Sequence, residues 1–363
     1  MSEKKGFDLR LQSIRGIAAF VVAFHHSFNI FVLPLSSQRI LRGIEGVFSP
    51  VSAVFIFFIL SGYVLGLSLR RENTVTFSVY VGFLMKRVCR IMIPLAVVIL
   101  SASLIVVGSI WIATGKTFID PATWGNSLMR TTYYRPFNLE VLATNLLLQD
   151  YDLDCVTWTI TVEMVGSIFI PLFFVINKYF YPRILLILAL IFLSLRSPDY
   201  SSGSYLYMFD LGLLIPFWIR PVFSSLRPMV LGCALLVAIS ICCLNSHLGH
   251  NFYVLSPALS FLLGYIIFQG NEKMHILDHQ VTIWLGKVSY SFYLIHWPVL
   301  WMCGWLGILF LSPLPTSCPV FSSFLVFFVS ILLTSLLAEI SYRHIEVRSI
   351  HLGKCLLSIC KTK

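Results

Sequence analysis

What most constrains this chain is a succession of apolar stretches, each about as long as a bilayer is thick, separated by short polar segments. A helix needs about 20 mostly apolar residues to cross a ~30 Å hydrocarbon core. Segments 13–33, 47–68, 91–113, 154–176, 183–196, 203–219, 227–244, 252–269, 284–308 and 318–342 supply ten candidates. The fifth to seventh are short, with Pro182, Pro198 and Pro216 near their ends. Lipid offers no partner for unpaired backbone groups, so each span is expected to be a helix. Ten-residue segments of alternating polarity are missing, which argues against a barrel. Only 12% of the 363 residues are charged and 58% are apolar, where a soluble domain keeps about a quarter of its residues charged. No segment is polar and long enough for a separate soluble domain. The expectation is an all-α membrane protein, a single polytopic bundle of about ten transmembrane helices. It would form one membrane-embedded domain over 1–363, with its core at about 7–348.

Charge sets the expected orientation, because basic residues accumulate on the cytoplasmic side. With the N-terminus inside, cytoplasmic segments hold 20 of the 26 Lys and Arg residues. The six others are Arg39, Arg42, Lys116, Arg130, Arg135 and Arg196. Both termini are therefore expected in the cytoplasm, and the net charge of +10 needs no nucleic acid to explain it. The polar start MSEKKGFDLRLQSIRG is followed by no small-residue cleavage site, so the first span reads as retained. The nine cysteines form no CxxC pair, and neither a disulfide framework nor a zinc site is indicated. His247 and His250 have HxxH spacing but no further ligand nearby, so no metal is expected.

Function in such a chain is sought among polar groups at membrane depth, where a charged side chain costs about 2.5–3.5 kcal/mol by insertion scales. In LQSIRGIAAFVVAFHHSF, Arg15 and His26 lie eleven residues apart, three turns plus ~20°, so they share a helix face. His26 is then ~16 Å deeper than Arg15, near the midplane, while His25 points ~100° away. Arg87 and Arg90 are at i,i+3 and project from one face; a guanidinium pair suits phosphate, and also suits an ordinary positive-inside flank. Glu163 lies ~13 Å deep from the outer side, where a carboxylate needs a cationic or donor partner. The two depths nearly sum to the ~30 Å core, so His26 and Glu163 can occupy one level. In WLGKVSYSFYLIHWPVL, Ser289, Tyr293 and His296 share an i, i+4, i+7 face, with Tyr290 beside them. His296 fits catalysis or the bracing of a kink at Pro298 equally. Asp210 is a fifth candidate, ~10 Å in from the outer side, and Ser61-Gly62 reads as close helix packing beside a pocket.

Together these pieces resemble the acyltransferase-3 family of integral membrane acyltransferases, which includes bacterial polysaccharide O-acetyltransferases. The resemblance rests on Arg15-x10-His26, the stretch Phe57 to Tyr63, Arg87-x-x-Arg90 and Trp158-x4-Glu163 with Pro171. SYSFYLIHWP (Ser289 to Pro298) and SYRHIE (Ser341 to Glu346) complete the series, in order, from about residue 7 to 348. The chain departs from the commonest family pattern in three places. Met164-Val165-Gly166-Ser167 follow Glu163, Arg348 stands where IE-x-P has proline, and Pro94 stands four residues after Arg90.

The resemblance implies acetyl-CoA as co-substrate, with no tightly bound cofactor. It implies a carbohydrate acceptor, lipid-linked or a surface polysaccharide such as an O-antigen, at the bacterial inner membrane. Arg87, Arg90 and Arg15 would bind the phosphates of CoA. His26 would be general base or acyl carrier with Glu163 orienting it, and Ser289, Tyr290, Tyr293 and His296 would support the oxyanion or the acceptor. An alternative of another class is a proton-coupled transporter relaying through His26, Glu163 and Asp210, although no repeated half with broken helices is visible.

Overall fold

The computed structural model describes residues 2–28, 30–72, 74–112, 137–198, 201–216, 228–244, 252–268, 276–311 and 313–361. Among these residues every regular element is helical. The α-helices are α1 (Ser2–Phe28), α2 (Leu35–Val47), α3 (Pro50–Leu69), α4 (Phe77–Ile112), α5 (Leu139–Leu146), α6 (Trp158–Ile176) and α7 (Phe180–Arg196). They continue as α8 (Leu206–Leu214), α9 (Pro228–Leu244), α10 (Phe252–Phe268), α11 (Gln280–Leu311), α12 (Leu314–Ser317), α13 (Pro319–Ser341) and α14 (Val347–Lys361). A π-helical turn, Tyr342–Glu346, joins the last two.

Each expected span overlaps one of these helices. Five are long and apolar enough to cross a membrane: Pro50–Leu69, Phe77–Ile105, Cys155–Ile176, Gln280–Leu311 and Pro319–Ser358. The others do not reach that length or hydropathy over the described residues. α7, α9 and α10 have 17 residues each, about 26 Å at 1.5 Å per residue, and α8 has nine. α1 spends its first turns on Glu3, Lys4, Lys5, Asp8 and Arg10. The count of ten thus remains an expectation from sequence. His247 and His250 lie outside the described residues. Among the described residues no group of three or more His, Cys, Asp or Glu is placed to hold a metal.

Helix starts follow local chemistry. Ser49 caps α3 by accepting from the Ser52 N–H at 3.2 Å, ahead of Pro50, whose fixed φ and missing N–H suit the first helical position. Asn138 caps α5, accepting from Val141 N–H at 2.8 Å. Asp154 accepts from Val156 N–H at 3.3 Å in the 3-10 turn that leads into α6.

The chain forms two compact units. One comprises Met1–Ala18, Gly43–Met85 and Thr161–Lys287; the other comprises Ala19–Arg42, Lys86–Ile160 and Val288–Lys363.

In the first unit α3 and α8 cross backbone to backbone. A Cβ on Gly62 would stand 2.0 Å from the Phe209 carbonyl oxygen, and one on Gly212 would stand 2.0 Å from that of Ile59. Gly166 of α6 gives room to the Phe209 ring in the same way. Small residues are what allow apolar helices in lipid to approach this closely. Asp210 on α8 is fully buried and accepts from Asn177 Nδ2 at 2.6 Å. Arg183 donates from Nε to the Asn177 carbonyl at 2.9 Å, closing the C-terminus of α6 with a cation where the helix dipole favours one. The start of α1 is fixed to the segment before α11. Arg10 donates to both oxygens of Asp278, at 2.7 and 2.9 Å, and Ser13 donates to the Leu277 carbonyl at 2.8 Å. The Asp278 hydrogen bonds push the Arg10 guanidinium pKa up against a smaller opposing effect of burial. Gly16 and Gly286 then touch through their backbones.

The second unit holds the end of α1, most of α4 and α11, and α13 and α14. Its apolar packing includes Phe28, Leu33, Leu41 and Phe327, with Phe20, Phe24 and Ile331 against them. Phe24 and Phe327 meet edge to face at 5.6 Å, a favoured aromatic geometry.

Candidate active site

In the second unit, α1 and α11 place three nitrogen-bearing rings side by side. The His26 and His296 rings stack with centroids 5.7 Å apart and planes 21° from parallel. The Trp297 ring stands against His26 at 4.9 Å and 83°. Neighbouring residues 296 and 297 on α11 can both reach one residue of α1 because successive helical positions diverge by ~100° and so flank it.

The tautomer of His296 follows from its partner. Nδ1 lies 2.6 Å from the Tyr293 carbonyl oxygen, and a carbonyl only accepts, so Nδ1 carries the proton. The lone pair of a neutral His296 is then on Nε2. That atom is buried and without a hydrogen-bond partner, as are His26 Nδ1 and Trp297 Nε1. An unpartnered buried polar atom costs about 1–3 kcal/mol, and native structures carry few of them. Three within one ring cluster are a site provided with donors and acceptors that the described protein groups do not use. The indole nitrogen can only donate, and His296 Nε2, on the neutral tautomer, can only accept.

The other expected residues of this unit separate into two groups. Tyr293 joins the ring cluster: its ring centroid is 5.5 Å from His296, and its hydroxyl shares a 3.0 Å hydrogen bond with Thr159. His25 meets His26 edge-on at 5.3 Å. Tyr290 is turned elsewhere, its hydroxyl donating to the Ile91 carbonyl at 2.8 Å, which fastens α11 to α4. Ser289 is buried on the same helix. Arg87 and Arg90 differ in setting. Arg87 is 8% exposed, while the Arg90 side chain is 39% exposed and stands 3.9 Å from Glu346.

Arg15 and Glu163 belong to the first unit. Glu163 on α6 is half-buried and its Oε1 accepts from Ser61 Oγ at 3.3 Å. Ser61 directly precedes Gly62, so the glycine that lets α3 approach α8 also sets the carboxylate's hydroxyl partner. Asp210 is committed to Asn177.

Two residues were missed from sequence. Trp297 read as part of a proline-kink motif, although an indole donor deep in an apolar span was itself a signal. Glu346 stood only within a terminal motif, and its burial depends on the π turn, which no sequence pattern announced.

Curated relatives include the O-acetyltransferase OatA of Staphylococcus aureus strains NCTC 8325 / PS 47 and COL, each 34% identical over 98 residues. That stretch is 26% of this chain and 14% of each relative, so the match spans about one seventh of their length. No solved structure matches the chain. The profile of a family described as an acyltransferase domain matches residues 8–340. Since that match takes in the ring cluster, the arginine pair and Glu163 together, the chain belongs to the acyltransferase-3 family of membrane proteins.

Proposed function

We propose that this chain is a membrane O-acyltransferase that moves acetyl from acetyl-CoA to a hydroxyl of a lipid-linked or cell-surface sugar, such as an O-antigen unit. The observation that carries this reading is the cluster of unpartnered nitrogens on His26, His296 and Trp297. A hydroxyl attacking a thioester needs an acceptor for its proton and a donor for the carbonyl oxygen as that oxygen becomes an anion. The cluster offers both kinds of group. Family membership and the printed activity of the OatA relatives support the same chemistry.

In this reading His26 takes the proton of the acceptor hydroxyl as its oxygen bonds to the thioester carbon. The Trp297 indole N–H donates to the developing oxyanion. As the carbon–sulfur bond breaks, the imidazolium of His26 returns the proton to the leaving CoA thiolate, so no net proton remains on the protein. His296 Nε2 accepts from the acceptor sugar, with its ring fixed by Tyr293. Arg87 and Arg90 hold the CoA phosphates at the cytoplasmic mouth. Arg15 is the candidate phosphate-binding cation of the first unit. Ser289 and Tyr290 brace α11 behind the rings. Glu163 is the candidate carboxylate of the first unit. The bacterial inner membrane, with both termini cytoplasmic, puts the donor site on the side where CoA is made.

The test follows labelled acetyl from acetyl-CoA into envelope polysaccharide, using membranes with the wild-type chain or His26→Ala inserted to the same level. The expected result is transfer by wild type and loss of at least ~10³-fold in the variant, on the scale of removing a catalytic group. Equal labelling by both removes His26 from the chemistry. Labelled substrate crossing the bilayer intact, without release of CoA, is the outcome a transporter gives.

A further inference from the structure

The long C-terminal helical run from Pro319 to Lys361 is not one regular α-helix. Residues Tyr342–Glu346 widen into a π turn before α14 begins. A π turn inserts one residue into the helical repeat and rotates all that follows by ~100°, and such turns are frequent at functional sites. Here it brings one acid inward. Glu346 is 2% exposed, while Arg343, His344, Val347 and Arg348 around it face outward.

The buried carboxylate is held from two sides. Its Oε2 accepts from Ser291 Oγ at 3.0 Å, and its Oε1 lies 3.9 Å from Arg90 Nη2. Ser349 Oγ donates to the Glu346 carbonyl at 2.8 Å, tying the turn to the first residues of α14. Burying a carboxylate is costly unless charge and hydrogen bonds compensate it, so a helix distorted to achieve this is doing so for the partner it reaches. That partner is one of the two neighbouring arginines of α4. At 3.9 Å the attraction is between charges and does not consume a guanidinium N–H. Arg90 donates no hydrogen bond to the described residues, and its side chain remains 39% exposed. A guanidinium so placed is oriented on one side and keeps its fork of donors for an anion on the other.

We propose that Glu346 is the positioning residue for Arg90, fixing its guanidinium so that it receives a phosphate of the acyl donor. This rests on the reading that Arg90 binds acetyl-CoA, and it adds Ser291 and the π turn to that binding apparatus. Glu346 acts on donor binding and touches no reacting atom.

The experiment measures initial rates of acetyl transfer by the full chain in detergent or lipid discs, against acetyl-CoA concentration. The variants are Glu346→Gln, Glu346→Asp, Ser291→Ala, Arg90→Ala and the double variant E346Q/R90A. The expected result for E346Q is a KM for acetyl-CoA raised about tenfold with kcat within about twofold, the pattern of lost ground-state binding. E346D recovers most of that loss, and S291A shows a smaller rise in KM. The double variant is no worse than R90A, because residues acting through one contact are not additive. With acetyl-pantetheine, which lacks the CoA phosphates, E346Q and wild type have the same KM.

Multiplying effects of E346Q and R90A, or a KM raised equally for acetyl-pantetheine, would show that Glu346 merely supports the fold and overturn the proposal. A fall in kcat at unchanged KM does the same. If E346Q does not insert, S291A carries the test with the same two donors. The reading beneath is tested separately. A wild-type KM in R90A removes Arg90 from donor binding altogether, whereas a raised KM in R90A with normal E346Q and S291A sinks only the role of Glu346.

Discussion

Replacing Gly62 by alanine should separate α3 from α8 and loosen a carboxylate that neither helix carries. The new Cβ would sit 2.0, 2.8 and 2.9 Å from the carbonyl O, carbonyl C and Cα of Phe209. All three are backbone atoms, so no rotamer change relieves the clash. Restoring an ordinary contact of about 3.4 Å or more moves the helices apart by about 1.4 Å, and strain of this kind costs about 1–3 kcal/mol. Gly212→Ala meets the Ile59 carbonyl oxygen at the same 2.0 Å and should match it. Two controls come from the same chain. Gly66 would meet chiefly the Leu213 Cδ2 atom at 2.5 Å, the end of a side chain that can turn, so Gly66→Ala should lose less. Gly43 has nothing within 4 Å, so Gly43→Ala should gain about 0.5–1 kcal/mol from helix propensity. The assay is thermal unfolding of purified protein in one detergent, with the midpoints expected in the order G43A, wild type, G66A, then G62A and G212A. The Ser61–Glu163 bond, at 3.3 Å, has little slack, so G62A should also lower transfer beyond its loss of folded protein. A G62A protein that melts with wild type would refute the backbone-contact argument for this crossing.

Two further outcomes follow from the geometry. Trp297→Phe keeps an aromatic ring against His26 but removes the only indole donor of the cluster, so kcat should fall about 10²-fold with KM little changed, as when one oxyanion donor is lost; a KM effect alone, seen in rates against acetyl-CoA and acceptor, would make Trp297 packing. Asp278→Asn breaks a forked ion pair whose partners are 13% and 40% exposed, so the unfolding midpoint should drop by the equivalent of at most about 1 kcal/mol and the remaining loss should vanish at high salt; a larger, salt-independent loss would mean that the pair is shielded from solvent.

How far the sequence carried the reading differs from residue to residue. Each expected span overlaps a helix, because length and hydropathy are local properties, but α4 begins 14 residues and α1 begins 11 residues ahead of the expected bounds. The helix Leu35–Val47, with Arg39 exposed among exposed Leu35, Ile40 and Ile44, was not foreseen, since thirteen residues of mixed polarity read equally well as a loop. His26 and His296 were both expected near the midplane from helical rise alone. Their stacking was not derivable, because periodicity gives the face a residue occupies but not the helix that face meets. Tyr290 shows the limit most plainly. By position it matched Tyr293, yet its hydroxyl reaches a backbone carbonyl on α4 while that of Tyr293 reaches Thr159 beside the rings.

By itself, then, the sequence determined that this protein is helical, that it belongs in a membrane, and which few polar side chains stand within its apolar helices. Those facts depend on composition and on distance along one helix. The tertiary structure alone decided that His26, His296 and Trp297 share one place with one nitrogen of each ring unpartnered. It also decided that Gly62 and Gly212 are where two backbones touch, and that a π turn buries Glu346 beside Arg90. The reason is physical: each of these depends on the rotation and approach of two separate helices, and a shift of one residue in either would leave the pattern of hydropathy nearly unchanged while turning those atoms away from each other.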